Sequence, residues 1–583
     1  MRKSESTRNT LKYRHLIPSM WRMTPPVAGG DARRIGHPRL SIAPLPPHDG
    51  AMSLRFDNSF ARELPLDPIR DLRARKVRGA MYSLATPTPV QNPRMLAWSE
   101  QVAELLGLGG AKLDEGASQH WARVLSGNEL IDGMLPIATR YGGHQFGNWA
   151  GQLGDGRAIS LGEVALDGSP QSARLELQLK GAGKTPYSRG ADGRAVLRSS
   201  LREFICSEAM HHLGIPTTRA LSLVLTGDEV ERDMFYDGRP ADEPGAIVCR
   251  VAPSFLRFGH MEILANDNET DLLARLFHYI VSTHFAGFSA DAGEPETVLA
   301  FFEEVCSRTT KLVCAWQRVG FVHGVMNTDN LSLLGLTIDY GPYGFLEPYD
   351  PMWTPNTTDA QGRRYRFGNQ PNIAMWNLAR LAESLAPLLL LKLEGPEVQA
   401  RLIAILEKQN AGMKLALAKM IGSKLGVTID NENDALLVTT LSTMEATSAD
   451  HTLFFRRLID VARADSQAQA VSTLEATLYS DAPQGPRLAV FLEALEGRWA
   501  QEGLSVEDRC QQIARTAPIV VPRNWLAQEA IEAATAGDAA PLHRLIEVLK
   551  SPYEERREHA HYALKRPAWA EQKPGCSALS CSS

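Results

Sequence analysis

The sequence predicts an α+β protein in which a smaller β-rich part precedes a large α-rich one. Two observations carry this. Between residues 130 and 260, Gly-rich turns alternate with runs of period 2, and Leu175-Glu176-Leu177-Gln178-Leu179 has the alternation of a strand with one apolar face. From about Leu272 the period becomes helical: Leu273, Leu276, Ile280 and Val281 share one stripe, as do Val305, Leu312 and Trp316.

The elements follow in order. One helix is expected inside the β-rich part, from Arg194 to Leu213, because Gly214 stands at its C-cap and Pro216 just beyond. Residues 372 to 550 read as nearly all helix, for example Ile373 to Leu390 and Val398 to Leu425. Neither repeats nor low-complexity blocks occur. The chain divides into an extension (1–51), an N-terminal segment (52–130), a unit with a Gly-rich loop, a Lys strand and a Glu helix (131–248), a unit with further polar motifs (249–410), a helical extension (411–550) and a tail with two cysteines (551–583).

Bulk properties narrow the class. A chain of 583 residues exceeds what one hydrophobic core serves, so one large unit with appended parts is expected. Its 44% apolar and 22% charged residues are ordinary for a globular protein. A net charge of -5 is small for this length and argues neither for a nucleic-acid binder nor for a membrane-surface protein. The longest apolar run, Leu385 to Leu391, contains Pro387 and stops at Lys392, too short to span a bilayer. The seven cysteines are odd in number and five are scattered without metal-ligand spacing, which suits a reducing compartment, hence the cytoplasm. The first fifty residues hold nine Lys or Arg against three Asp or Glu. They read either as a transit peptide, which implies a mitochondrial protein, or as a disordered extension before a start near Met52. Pro25-Pro26, Gly29-Gly30 and Pro46-Pro47 break any amphipathic helix and favour the second.

Five short motifs bear chemistry. The first is Gly151-Gln152-Leu153-Gly154-Asp155-Gly156-Arg157, which suits a backbone approaching phosphate but, taken alone, is better read as a tight Asp-Gly hairpin turn. The second is Lys180, ending the alternating strand; the third is Glu203, in the expected helix with no basic residue at i±3 or i±4, so its partner must be remote. Lys180 is the natural candidate. The fourth is His323-Gly324-Val325-Met326-Asn327-Thr328-Asp329-Asn330, where His and Asn keep the spacing of a kinase catalytic loop but Val325 replaces its aspartate. Asp329 is placed to supply a carboxylate instead. The fifth is Ile338-Asp339-Tyr340-Gly341, a counterpart of the kinase Asp-Phe-Gly motif. Asn330 and Asp339 offer hard oxygens suited to Mg²⁺ or Mn²⁺. Each motif alone is explained by a turn or a solvated side chain. Five in this order point to a protein-kinase-like, two-lobed fold with a large, mainly helical C-terminal part, and to phosphoryl or nucleotidyl transfer.

The runs Arg140-Tyr141-Gly142-Gly143-His144-Gln145-Phe146-Gly147, Leu179 to Arg189, His323 to Asn330 and Ile338 to Pro342 resemble the selenoprotein O family of protein adenylyltransferases, from about Leu54 to the C-terminus. The resemblance implies that ATP binds in a flipped orientation and that AMP passes to Ser, Thr or Tyr hydroxyls of proteins with release of pyrophosphate. It implies that Gly154, Gly156, Arg157, Lys180, Asp192, Gly193, Arg250, Arg257 and Asp339 contact ATP, and that Glu203 pairs with Lys180. Asn330 and Asp339 would bind Mg²⁺ or Mn²⁺, and Asp329 would accept the proton. ATP and hydroxyl-bearing proteins are the implied partners, with neither nucleic acid nor membrane. The family also links the C-terminal position held here by Cys581 to redox control. Cys576 and Cys581 are the candidate redox pair, on a tail expected to be mobile, while 352–357 lacks the loop cysteine of many relatives. A small-molecule kinase and a non-catalytic nucleotide-binding redox scaffold are the rival readings.

Overall fold

The computed structural model describes residues 54–109, 113–166, 173–285, 287–288 and 294–580. The readings made of residues 1–51 and of Cys581 lie outside the described residues.

The fold is α+β, as expected. Three short helices, α1 (Ser59–Glu63), α2 (Glu100–Leu105) and α3 (Glu115–Leu125), accompany a seven-stranded antiparallel sheet. Its strands are β1 (Tyr82–Leu84), β2 (Arg94–Trp98), β3 (Ile137–Thr139), β6 (Ala158–Ala165), β7 (Arg174–Lys180), β8 (Arg219–Arg232) and β9 (Ala241–Ala252), in the order β1-β3-β6-β7-β9-β8-β2. Two of them, β1 and β2, come from the 52–130 segment. A separate hairpin, β4 (Gly142–Gln145) with β5 (Asn148–Gln152), stands apart.

The period-2 pattern of β7 sorts its side chains. Leu177 and Leu179 are fully buried against Trp121, Val124 and Leu125 of α3. Gln178 and Lys180 point the other way, toward helix α4 (Leu197–His212). Register then fixes their neighbours: Gln178 lies opposite Arg250, and Lys180 opposite Val248 and Ala158.

Helix α4 begins three residues later than its sequence pattern suggests. The chain before it is extended: Val196 bridges to Gly245, and the Ala195 carbonyl accepts from Ala246 N–H at 3.0 Å. Pairing to the sheet outcompetes helix propensity there. Gly214, at φ 73°, ends the helix as expected. One side of α4 (Leu201, Phe204, Ile205) packs with Leu223 and Val248 of the sheet, and the same core takes in Trp525, Ile531, Leu542 and Leu545.

The α-rich part follows: α5 (Phe258–Asn266), α6 (Thr270–His284), α7 (Pro295–Val319), α8 (Gln370–Leu389) and α9 (Gly395–Leu425). They share one large core that includes Leu273, Ile280, Phe301, Trp316, Leu378 and Leu385. The extension runs α10 (Ala435–Ala446), α11 (His451–Ala462), α12 (Gln467–Glu475), α13 (Gly485–Glu502), α14 (Val506–Thr516), α15 (Asn524–Thr535) and α16 (Ala540–Leu549). Arg523, just before α15, donates two hydrogen bonds to Asp450 at 2.8 and 2.9 Å, and Asp450 in turn caps α11 through the Thr452 and Leu453 N–H groups. Among the described residues, no helix is long and apolar enough to cross a membrane.

The tail is packed rather than mobile. Leu579 N–H donates to the Pro355 carbonyl at 3.0 Å, and its own carbonyl accepts from Thr357 N–H at 2.8 Å and Thr357 Oγ1 at 3.0 Å. Ser580 donates to the Met234 carbonyl in the turn between β8 and β9.

Candidate active site

Five of the singled-out side chains converge. Strand β7 delivers Lys180 and helix α4 delivers Glu203, and Lys180 Nζ lies 2.6 Å from Glu203 Oε2. Strand β9 adds Arg250, whose Nη1 is 3.2 Å from Glu203 Oε1 and 2.6 Å from Asp339 Oδ1. Arg257, just before α5, reaches Asp339 Oδ2 at 2.5 Å. Lys180 is itself 3.6 Å from Asp339. Aromatic rings hold the two guanidinium planes: Arg250 lies 5.0 Å from the Phe255 centroid and Arg257 4.7 Å from that of Tyr141.

Three cations thus face two carboxylates, leaving an excess of positive charge that favours an anion. Burial alone would raise the Asp339 carboxyl, but Arg257, Arg250 and Lys180 together hold it well below the usual range. Burial pulls Lys180 below the usual lysine value, opposed by Glu203 and Asp339. Asp339 sits at φ 56°, a left-handed conformation that non-glycine residues adopt seldom and mostly at functional positions.

The loop from His323 to Asn330 packs beside this cluster. His323 Nε2 lies 3.0 Å from the Ile338 carbonyl, tying the loop to the segment that carries Asp339. Asn330 spends its amide N–H on the Val325 carbonyl at 3.0 Å, which leaves the amide oxygen as its donor atom for a metal. Arg257 Nη1 also donates to the Asp329 backbone carbonyl at 2.8 Å, so one guanidinium joins Asp329 to Asp339. The Asp329 side chain is buried; burial pushes its carboxyl up to about 7, against the hydrogen bond from Gln145 and the charge of Arg257. Its Oδ2 accepts from Gln145 Nε2 at 3.2 Å, while Oδ1 is buried without a hydrogen-bond partner.

The Gly-rich stretch links β5 to β6 beside this cluster, with the Arg157 carbonyl accepting from Gly181 N–H at 2.8 Å, next to Lys180. It is not a hairpin, since β5 and β6 belong to different sheets. Gly154, at φ 90°, faces protein: a Cβ there would meet the Tyr187 ring at 2.4 Å, and one on Gly156 the Tyr187 carbonyl at 3.0 Å. Asp192 and Gly193 are not at a helix N-terminus, because α4 starts only at Leu197. Asp192 instead pairs with Arg232 at 2.7 Å, and Gly193 packs so tightly on Gly183 that a Cβ would lie 2.1 Å from its carbonyl oxygen. Cys576 is buried, 4% exposed, and burial pushes its thiol up to about 12. A redox sensor needs an accessible thiol of low pKa, which Cys576 is not.

The hairpin β4–β5 is the part that sequence reasoning passed over. Gly142 to Gly147 stood out only as a family marker, with no role attached. In the structure it lies on the Asn327–Asn330 turn: His144 N–H donates to Thr328 Oγ1 at 2.7 Å and Phe146 N–H to Asn327 Oδ1 at 3.2 Å. The available signal was the pair Gly142-Gly143 followed by polar residues, a pattern of close backbone approach.

The sequence model of the family described as "Protein adenylyltransferase SelO" matches residues 73–550. The protein nucleotidyltransferase YdiU of Nitrosospira multiformis is 51% identical over 557 residues, covering 91% of this chain and 96% of that protein. The YdiU of Azoarcus sp. is 52% identical over 534 residues, covering 91% and 99%, and that of Tolumonas auensis is 51% identical over 536 residues, also covering 91% and 99%.

Proposed function

From the premise that this chain belongs to the SelO family of protein adenylyltransferases, we propose a division of labour among its site residues. The chain is a protein nucleotidyltransferase that uses ATP. The group transferred is AMP, and the acceptors are Ser, Thr and Tyr hydroxyls. The acceptor oxygen attacks the α-phosphorus, the bond from that phosphorus to the bridging oxygen of the β-phosphate breaks, and pyrophosphate leaves. The hydroxyl proton passes to Asp329. The observation that carries this reading is the double reach of Arg257, which ties the backbone of Asp329 to the side chain of Asp339 and so to the Lys180–Arg250–Asp339 cluster.

Lys180, Arg250 and Arg257 hold phosphate oxygens and offset the charge that builds on the departing pyrophosphate. Glu203 keeps Lys180 in place, and the Lys–Glu pair bridging strand and helix supports a kinase-like arrangement of two lobes. Arg157, with the Gly154–Gly156 turn packed on Tyr187, borders the same space, and Asp192 and Gly193 lie on the loop leading into α4. We place the reaction in the cytoplasm on the cysteine pattern of the sequence.

The donor set fits a hard divalent cation. Asp339 is kept anionic, Asn330 offers an amide oxygen, and Mg²⁺ commonly takes one or two protein oxygens and completes its shell with phosphates and water. Bound there, Mg²⁺ or Mn²⁺ would neutralise phosphate charge.

The test uses purified protein, divalent metal and ATP labelled on either the α- or the γ-phosphate. Label on protein from α only is expected. Label from γ only makes the chain a kinase, and none from either, with ATP binding intact, leaves a nucleotide-binding scaffold; both outcomes overturn the reading.

A further inference from the structure

We propose that Gln145, at the end of β4, is a positioning residue that aims Asp329 at the acceptor hydroxyl. The inference rests on the reading of Asp329 as proton acceptor. A carboxylate has two oxygens, and only one is productive in a given pose. The Gln145 amide donates to Oδ2 at 3.2 Å and so fixes how the carboxylate is turned, while Oδ1 lies buried against Gly143.

For this contact to orient Asp329, the hairpin must itself be fixed, and it is gripped on both sides. Before Gln145, the His144 N–H holds Thr328 Oγ1 at 2.7 Å, and the His144 ring lies 2.7 Å from the buried Glu262 carboxylate and against Trp149 and Trp376. After it, the Phe146 N–H donates to Asn327 Oδ1 at 3.2 Å and to Tyr365 Oη at 2.9 Å, while Tyr365 donates to the same Asn327 oxygen at 2.5 Å. Three consecutive residues thus contact three consecutive residues of the catalytic turn: 144 with 328, 145 with 329 and 146 with 327. Gly143 closes the assembly, because a Cβ there would lie 2.8 Å from Asp329 Oδ1 and 2.9 Å from Asp329 Cβ. Carboxylate, turn and hairpin form one rigid unit, as a group that must sit within a fraction of an ångström of its target requires.

The test compares native protein, Asp329→Ala and Gln145→Met, which keeps the length of the side chain without its N–H, with Gln145→Ala as a second variant. The readouts are the initial rate of self-labelling from α-labelled ATP at saturation, the ATP KM, ATP affinity by calorimetry, and melting temperature. Asp329→Ala is expected to lose labelling. Both Gln145 variants are expected to label about 10- to 100-fold more slowly, the loss typical of a misplaced reacting group, with KM, ATP affinity and melting temperature unchanged. If Asp329→Ala is silent while Gln145→Met labels within about threefold of native, the inference falls and the reading of Asp329 stands. A rate loss that tracks lost ATP affinity or a lowered melting temperature assigns Gln145 a packing role and also overturns it. Native labelling by Asp329→Ala removes the proton acceptor and Gln145's role together.

Discussion

Lys180 Nζ and Glu203 Oε2 lie 2.6 Å apart, across the boundary between a strand and a helix that packs both on the sheet and on the C-terminal extension. Glu203 also takes Arg250, so the pair is one edge of a five-residue network with Asp339 and Arg257. Replacing Lys180 by Ala removes a preorganised cation from the phosphate site. Losing one such donor typically costs about 3 kcal/mol of transition-state stabilisation. Self-labelling by Lys180→Ala should therefore fall at least about 100-fold, and a native rate would remove Lys180 from the site.

Asn330 and Asp339 are the proposed metal donors. Chelation by EDTA should stop transfer, and added Mg²⁺ or Mn²⁺ should restore it. Even outer-shell changes at metal sites cost about 10–100-fold in affinity, so Asn330→Ala should raise the metal concentration for half-maximal rate at least about tenfold. Asp339→Ala should abolish labelling at any metal concentration. A metal dependence identical to native in Asn330→Ala would reassign that residue.

Gly143→Ala tests the fit of hairpin to catalytic turn by steric means. The added methyl meets Asp329 at 2.8 Å, closer than real Cβ contacts, and must displace one partner. Labelling should slow by about tenfold or more while calorimetric ATP affinity holds. An alanine variant as fast as native would show that the hairpin rides freely over the turn.

Arg523→Met breaks the buried pair with Asp450, where the two side chains are 2% and 0% exposed. The carboxylate left behind stays buried without its cation, which typically costs about 3–5 kcal/mol. Chemical denaturation should show a lowered midpoint; one unchanged within error would mean that Asp450 finds another partner.

Glu176 gives a dependence on pH. Burial pushes its carboxyl up to about 8, with neighbouring Glu163 acting in the same direction, against a usual value of 4.5. The unfolded chain therefore loses this proton first. The resulting penalty on the folded state is absent below about pH 4.5, grows as pH rises and levels off above about 8. Glu176→Gln is neutral throughout, so its melting temperature relative to native should climb between pH 5 and pH 9. A constant difference across that range would contradict the raised value.

Much of this was legible because local patterns carried it. The alternation at Leu175–Leu179 gave β7 and its two faces, and the lack of a basic neighbour around Glu203 pointed to a remote partner, found in Lys180. Arg250 and Arg257 were invisible to that reasoning: in sequence they are ordinary arginines, and only strand register and the packing of α5 bring them to Asp339. The start of α4 was misplaced by three residues because the competing bridge, Val196 to Gly245, spans 49 positions. The grip of Gln145 on Asp329 spans 184 residues, a distance over which no periodicity speaks. Cys576 was misjudged because a Ser- and Gly-containing tail resembles a mobile one until its packing is seen.

The pairing of Leu579 with residues 355–357 has a consequence for biosynthesis. Asn356, in the middle of that segment, donates through its side chain to the Gly324 carbonyl at 3.0 Å and so secures the turn that bears Asp329. Yet Thr357 reaches its partner only 222 residues further along the chain. At roughly 5–20 residues per second on the ribosome, the segment waits at least about ten seconds for the tail that clamps it. The nascent polypeptide therefore holds every proposed catalytic side chain well before it holds the clamp, and its site is completed last.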